Sequence, residues 1–126
     1  MFKMTIEFMS DKGIIKITTL GVFDIAADKE LVSAGISASR QYGSVKFLVD
    51  HRKVELQLRI FDVDDVPIIA EKAGLPPNVS IALLHNETPR AKEVFSYVDN
   101  VSYLQGGPRR SFTDEQEAIS WLLGRS

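Results

Sequence analysis

Cysteine is absent from this 126-residue chain, which removes disulfides, thiolate metal sites and thiol catalysis and fits a reducing interior. A basic excess is absent too. Lys and Arg number 15 against 17 Asp and Glu, a formal net charge of -2, so no polyelectrolyte drive toward nucleic acid is expected. No run approaches the roughly 18 uninterrupted apolar residues that span a bilayer. The start, MFKMTIEFMSDKG, alternates apolar with polar residues and reaches Asp11 too early for a signal peptide's apolar core. A cytoplasmic protein is expected.

The common catalytic signatures are missing as well. Neither HExxH, GxSxG, GxGxxG nor GxxxxGK(S/T) occurs, so zinc-protease, serine-hydrolase and phosphate-loop chemistry have no anchor, and no cofactor is expected. What is present is ordinary globular material: 44% hydrophobic and 25% charged residues, in a chain long enough to bury one core. With no linker, repeat or low-complexity segment, residues 1–126 read as a single domain.

Periodicity orders the elements. KMTIEF and GIIKITTLG are β-rich runs joined by Ser10-Asp11-Lys12-Gly13, a hairpin signal. From Asp24, a candidate N-cap, Ile25, Val32 and Ile36 form a helical stripe with Leu31, Ala38 and Tyr42 beside it, stopped by Gly43. VKFLVD is a continuous apolar run, expected for a central strand covered on both faces. In KVELQLRI, Val54, Leu56, Leu58 and Ile60 alternate with polar residues, which predicts a strand to Ile60. Asp62 or Asp64 is then expected to cap a helix carrying Val66, Ile69, Ala70 and Ala73 and ended by Gly74.

VSIALL is the next buried strand. Thr88-Pro89 opens a helix whose apolar face runs from Ala91 to Leu104, with Gly106-Gly107 as its stop, and RRSF follows as a short strand. At the end, Thr113 and Gln116 fit a capping box for a docked helix carrying Ala118, Trp121 and Leu122. The order implies an α/β domain: a mixed sheet of about five strands, interleaved helices, an N-terminal hairpin and a C-terminal docked helix.

Four segments together resemble the SpoIIAA-like family: a hairpin ending in TLGVFD, a central FLVD followed by a basic residue, IALL, and the closing SFTDEQEAISWL. The resemblance implies a fold shared with STAS domains, including anti-sigma-factor antagonists, and similar to lipid-binding CRAL-TRIO domains. Phosphorylation-switched antagonists carry an acceptor serine just after the central strand. Here Asp50 is followed by His51, Arg52 and Lys53, so the resemblance does not bring that switch with it.

Two places are candidates for function. The histidines, His51 and His85, each follow an apolar strand, and α/β sheets bind ligands beyond the carboxyl ends of their strands. Asp50, His51, Arg52, His85, Glu87 and Asp24 are thus expected at one rim, where a metal or acid–base site is the sharpest alternative and a solvated rim the plainest. Arg109 and Arg110 occupy adjacent strand positions that point to opposite faces, and read as a solvated pair. The second place is the segment from Val54 to Leu75. Val54, Leu56, Leu58, Ile60, Val66, Ile69 and Ala70 either fill the core or line a groove beneath a mobile helix. That groove would take an apolar small molecule or a lipid, a membrane surface, or a second copy of the chain. The leading expectation is a non-enzymatic binding domain working through this segment, and a STAS-type protein-interaction module is the alternative.

Overall fold

The computed structural model describes residues 1–104 and 108–125, and the side chains of these except at 60, 61 and 101–104. Strand β1 (Phe2–Met9) turns back on β2 (Ile14–Phe23) as an antiparallel hairpin. Gly13, at φ 68°, makes the turn, and its amide and that of Lys12 donate to the Met9 carbonyl. At the open end of the hairpin Gly21 has φ 92°, and a Cβ there would lie 1.7 Å from the Met1 carbonyl oxygen. Glycine is required on both counts.

Helix α1 (Ile25–Tyr42) follows, capped by the Asp24 carboxylate on the Ala27 amide at 2.9 Å and ended by left-handed Gly43. Both caps fall where the sequence put them. Strand β3 (Lys46–Asp50) pairs parallel with the first half of β2, and the short β4 (Val54–Leu56) pairs parallel with its second half. The strand expected to reach Ile60 therefore stops at Leu56. Its partner ends at Phe23, which turns into α1, so after the Gln57 amide bonds the Phe23 carbonyl the ladder has no further rung.

A four-residue helix α2 (Ile60–Val63) begins there instead, with the Asp62 carboxylate reaching back to the Arg59 amide at 2.8 Å. That is the returning half of a capping box. The next helix, α3 (Val66–Ala73), has Asp65 at its N-cap with no side-chain bond, so neither Asp62 nor Asp64 caps it; Gly74 ends it as expected. Strand β5 (Ser80–Leu84), helix α4 (Pro89–Leu104), strand β6 (Arg109–Phe112) and helix α5 (Glu115–Leu123) complete the order. Helix α4 is continuous to Leu104, and its expected stop at Gly106-Gly107 lies outside the described residues. The cap of α5 is Asp114, which accepts from the Gln116 amide, rather than Thr113.

Among the described residues the main sheet order is β1-β2-β3-β5-β6, parallel apart from the hairpin, with β4 beside the far end of β2. Alternation assigns its faces. Ile15, Ile17, Phe47, Val49, Ile81 and Leu83 pack toward α1 and α4, while Ile14, Leu48, Ala82 and Leu84 pack against Ala118, Ile119 and Leu122 of α5. The α5 face is narrow and filled. Opposite it, α2 and α3 close over the space between α1 and α4.

Candidate functional site

Asp50 and His51 are neighbours in the chain, and the pleat sends them to opposite faces. On the α5 side Asp50 accepts from Arg52 Nε at 2.9 Å and Nη2 at 2.8 Å, and from the Arg52 amide. Arg52 Nη2 continues to Glu115 at 3.2 Å, and Lys16 donates to the same carboxylate. Burial raises the Asp50 pKa, but the Arg52 bonds and the Lys16 charge more than offset it, holding the carboxyl below its usual range. Two acids and two bases thus close on one another. This network pins the start of α5 to the end of β3.

His51 faces the other way and is 3% exposed. Its ring packs 4.4 Å from Phe23 and 6.1 Å from Phe95. The Thr19 hydroxyl has one proton and gives it to the Asp50 carbonyl at 2.9 Å. The 2.7 Å contact between Thr19 Oγ1 and His51 Nδ1 therefore has the imidazole as donor, leaving Nε2 an unprotonated acceptor. Burial in this apolar setting pushes the His51 pKa down to about 4, against the pull of the Asp50 charge, so the ring is neutral at ordinary pH. His85 stacks on the other side of the same aromatic cluster, 4.7 Å from Phe95 at 3°, with Nδ1 donating to the Asn86 carbonyl.

The expected rim is therefore divided. His51 and His85 share Phe95, Asp50 and Arg52 belong to the α5 face, Asp24 is occupied as a cap, and Glu87 is exposed. Among the described residues no group of three or more His, Asp or Glu side chains is placed to hold a metal ion.

A cavity of about 170 Å³ lies between the sheet, α1 and α4, roofed by Leu58, Val63, Val66, Pro67 and Leu75. Its floor is Ile17, Phe47, Val49, Ile81 and Leu83, and Phe23, Leu31, Val94 and Phe95 form its walls. Among the described residues three polar side chains interrupt this lining: His51, Asp28 and Arg109. Asp28 is 5% exposed, and its Oδ2 has no hydrogen-bond partner among the described residues. Burial raises its pKa to about 6, the charge of Arg109 opposing. Burial lowers the pKa of Arg109 in turn, and Asp28 opposes that. Arg109 is thus part of the cavity wall and not a solvated surface residue, while Arg110 lies over the Phe112 ring at 5.5 Å on the α5 side.

Of the apolar candidates, Leu58 and Val66 line the cavity, Val54 and Ala70 are buried, and Leu56 is partly buried against the same core. Ile69 turns outward to a shallow groove between α1 and α3, beside Ile25, Lys29, Ile68 and Lys72. The Ile60 backbone opens α2, and its side chain lies outside the described residues. The roof is latched to α4 twice: Tyr97 donates to Asp64 at 2.8 Å and the Arg90 guanidinium donates to the Leu58 carbonyl. Asp28 escaped the sequence reading, although a signal existed. It falls in helical phase with Leu31, Gly35 and Ala38, all buried on α1, and a charge on an apolar stripe marks either a solvated edge or a polar group aimed inward.

No family model matches the chain, and no curated protein matches it. Solved structures do. One is an uncharacterized DUF3478-family protein with a SpoIIAA-like fold from Shewanella loihica PV-4, with TM-score 0.59 and 16% identity, covering 96% of this chain and 93% of that one. An anti-sigma factor antagonist from Mycobacterium paratuberculosis gives TM-score 0.65 at 12% identity, covering 97% and 94%. The unphosphorylated antagonist SpoIIAA gives 0.52 at 21%, covering 97% and 99%. At these identities the likeness is one of fold, and the fold of this chain is SpoIIAA-like. The expected similarity to CRAL-TRIO domains finds no support among these neighbours.

Proposed function

We propose that this chain, with its SpoIIAA-like fold, is a non-enzymatic binding domain that takes a small, mainly apolar ligand beneath α2 and α3. The observation that carries the reading is the cavity. Its volume of about 170 Å³ compares with the roughly 150 Å³ of an apolar cavity that binds benzene. A ligand that fills it gains apolar contacts on every lining side chain. The roof is made of short elements that pack on α1 and are latched to α4 through Tyr97 and Arg90, so it is the segment that would move to admit a ligand. This keeps the expected binding region and replaces a lipid with something much smaller.

The test is thermal unfolding of the whole protein with toluene as probe, alongside native mass spectrometry of protein gently purified from cells. A concentration-dependent rise in Tm, and occupancy by one small molecule per chain, are expected. Toluene that leaves Tm unchanged, on a protein that carries nothing, would end the reading.

A second reading follows from the neighbours, two of which are anti-sigma factor antagonists: a regulatory module that acts by protein contact, including contact with a second copy. The shallow groove of α1 and α3 supports it, since Ile68 is 49% exposed there between Lys29 and Lys72. No helix among the described residues is long and apolar enough to cross a membrane. Peripheral contact through this groove would appear as co-sedimentation with liposomes.

A further inference from the structure

Among the described residues the cavity lining is mainly apolar, which makes its polar members informative. Asp28 sits in the first turn of α1 with Oδ2 sealed from solvent and without a hydrogen-bond partner among the described residues. A buried acceptor left unsatisfied costs far more than a bonded one returns, so native structures rarely keep one without a use. The void beside it is the size of a small ligand, and the His51 side chain also lines it. The Asp28 carboxylate has room beside it for a proton donor.

Charge narrows the choice. Asp28 and Arg109 stand in each other's field inside the same wall. A neutral guest leaves their opposite charges balanced. An anionic guest would leave a buried excess of negative charge and set oxygen against oxygen at Asp28, and a cationic guest would leave an excess of positive charge beside Arg109.

We infer that the cavity selects a small neutral alcohol, on the order of six to nine heavy atoms as its volume allows, whose hydroxyl donates to the Asp28 carboxylate while its apolar body rests on Phe23, Leu31 and Phe95. The inference rests on the small-ligand reading above and names its ligand class. It also sets fatty acids and anionic lipids aside, since their head groups are acceptors of the wrong sign.

The experiment is a calorimetric or NMR titration of the whole protein at pH 7.5 with four probes of nearly one shape: toluene, benzyl alcohol, benzoate and benzylammonium. Benzyl alcohol is expected to bind about tenfold more tightly than toluene, the worth of one hydrogen bond to a charged acceptor. Both ions are expected to bind at least tenfold more weakly than the alcohol. Asp28→Leu should erase the alcohol's advantage while toluene still binds. Should that variant fail to fold, Asp28→Asn, which keeps a neutral acceptor, is expected to reduce the advantage to a fewfold.

Equal binding of toluene and benzyl alcohol to the wild type would overturn the ligand class and leave the small-ligand reading standing. Preferred binding of benzoate would overturn it in favour of Arg109 as the recognising group. If none of the four binds, the small-ligand reading falls and this inference with it.

Discussion

His51 and Asp28 line one cavity and respond to acid in opposite senses. Burial depresses the His51 pKa from 6.5 to about 4, so between those values the unfolded chain takes a proton that the folded chain refuses. Its contribution to stability is complete above pH 6.5 and is lost as pH falls, by about 3 kcal/mol over the window. Burial raises the Asp28 pKa from 3.8 to about 6, so there the folded chain takes the proton first. The cost of a buried carboxylate, again about 3 kcal/mol at neutral pH, is relieved as pH falls through 6 toward 4. The two effects nearly cancel in the wild type. Asp28→Asn is expected to make stability fall more steeply between pH 7 and pH 4, by about 3 kcal/mol relative to wild type, and His51→Gln to make it rise over the same interval. Urea unfolding at a series of pH values measures both, and variants that keep the wild-type profile would show that neither group titrates as a buried one. The sequence made His51 visible, because two histidines behind apolar strands stand out. Asp28 was legible only as an acid in phase with an apolar stripe, and the fold reveals that the stripe faces a void.

At the scale of elements, local chemistry was legible wherever a cap or a turn residue decides the outcome. The Asp24 cap, the Thr88-Pro89 start and the Gly43 and Gly74 stops all stand as read. What could not be read was β4, whose alternation runs to Ile60 while its partner strand stops at Phe23: a strand needs a ladder, and the ladder is a property of another segment. Gly21 is the position most sensitive to change in the hairpin. Gly21→Ala would put a methyl group into the Met1 carbonyl at a left-handed φ, and is expected to destabilise by at least about 2 kcal/mol, seen as a lower urea midpoint at unchanged slope. The latches on the roof give a subtler prediction. Tyr97→Phe deletes the bond to Asp64 and should raise hydrogen exchange of the α2 and α3 amides roughly fivefold, leaving β3 and β5 protected. Uniform loss of protection would mean that the roof does not open separately from the core.

For the molecule as a whole, the sandwich of helices on a mixed sheet was open to sequence reading because each element declares its own period. The cavity was not, since it is defined by what several separate segments leave empty between them. The outer groove of α1 and α3 belongs to this scale too. If a second copy covers it, Ile68→Lys is expected to turn a dimer into a folded monomer in sedimentation velocity and to remove the concentration dependence of Tm; a wild type monomeric at high micromolar concentration would discard that form of the interaction reading. The asymmetry of the two faces has one more consequence. The α5 layer is filled and the opposite layer is not, so the two halves should differ in compressibility. A void of about 170 Å³ adds to the volume lost on unfolding, which scales with the internal space eliminated when the walls separate. Hydrostatic pressure should therefore loosen α2 and α3 before it disturbs the packing of Trp121 and Leu122, and a guest in the cavity should make the chain resistant to pressure as well as to heat.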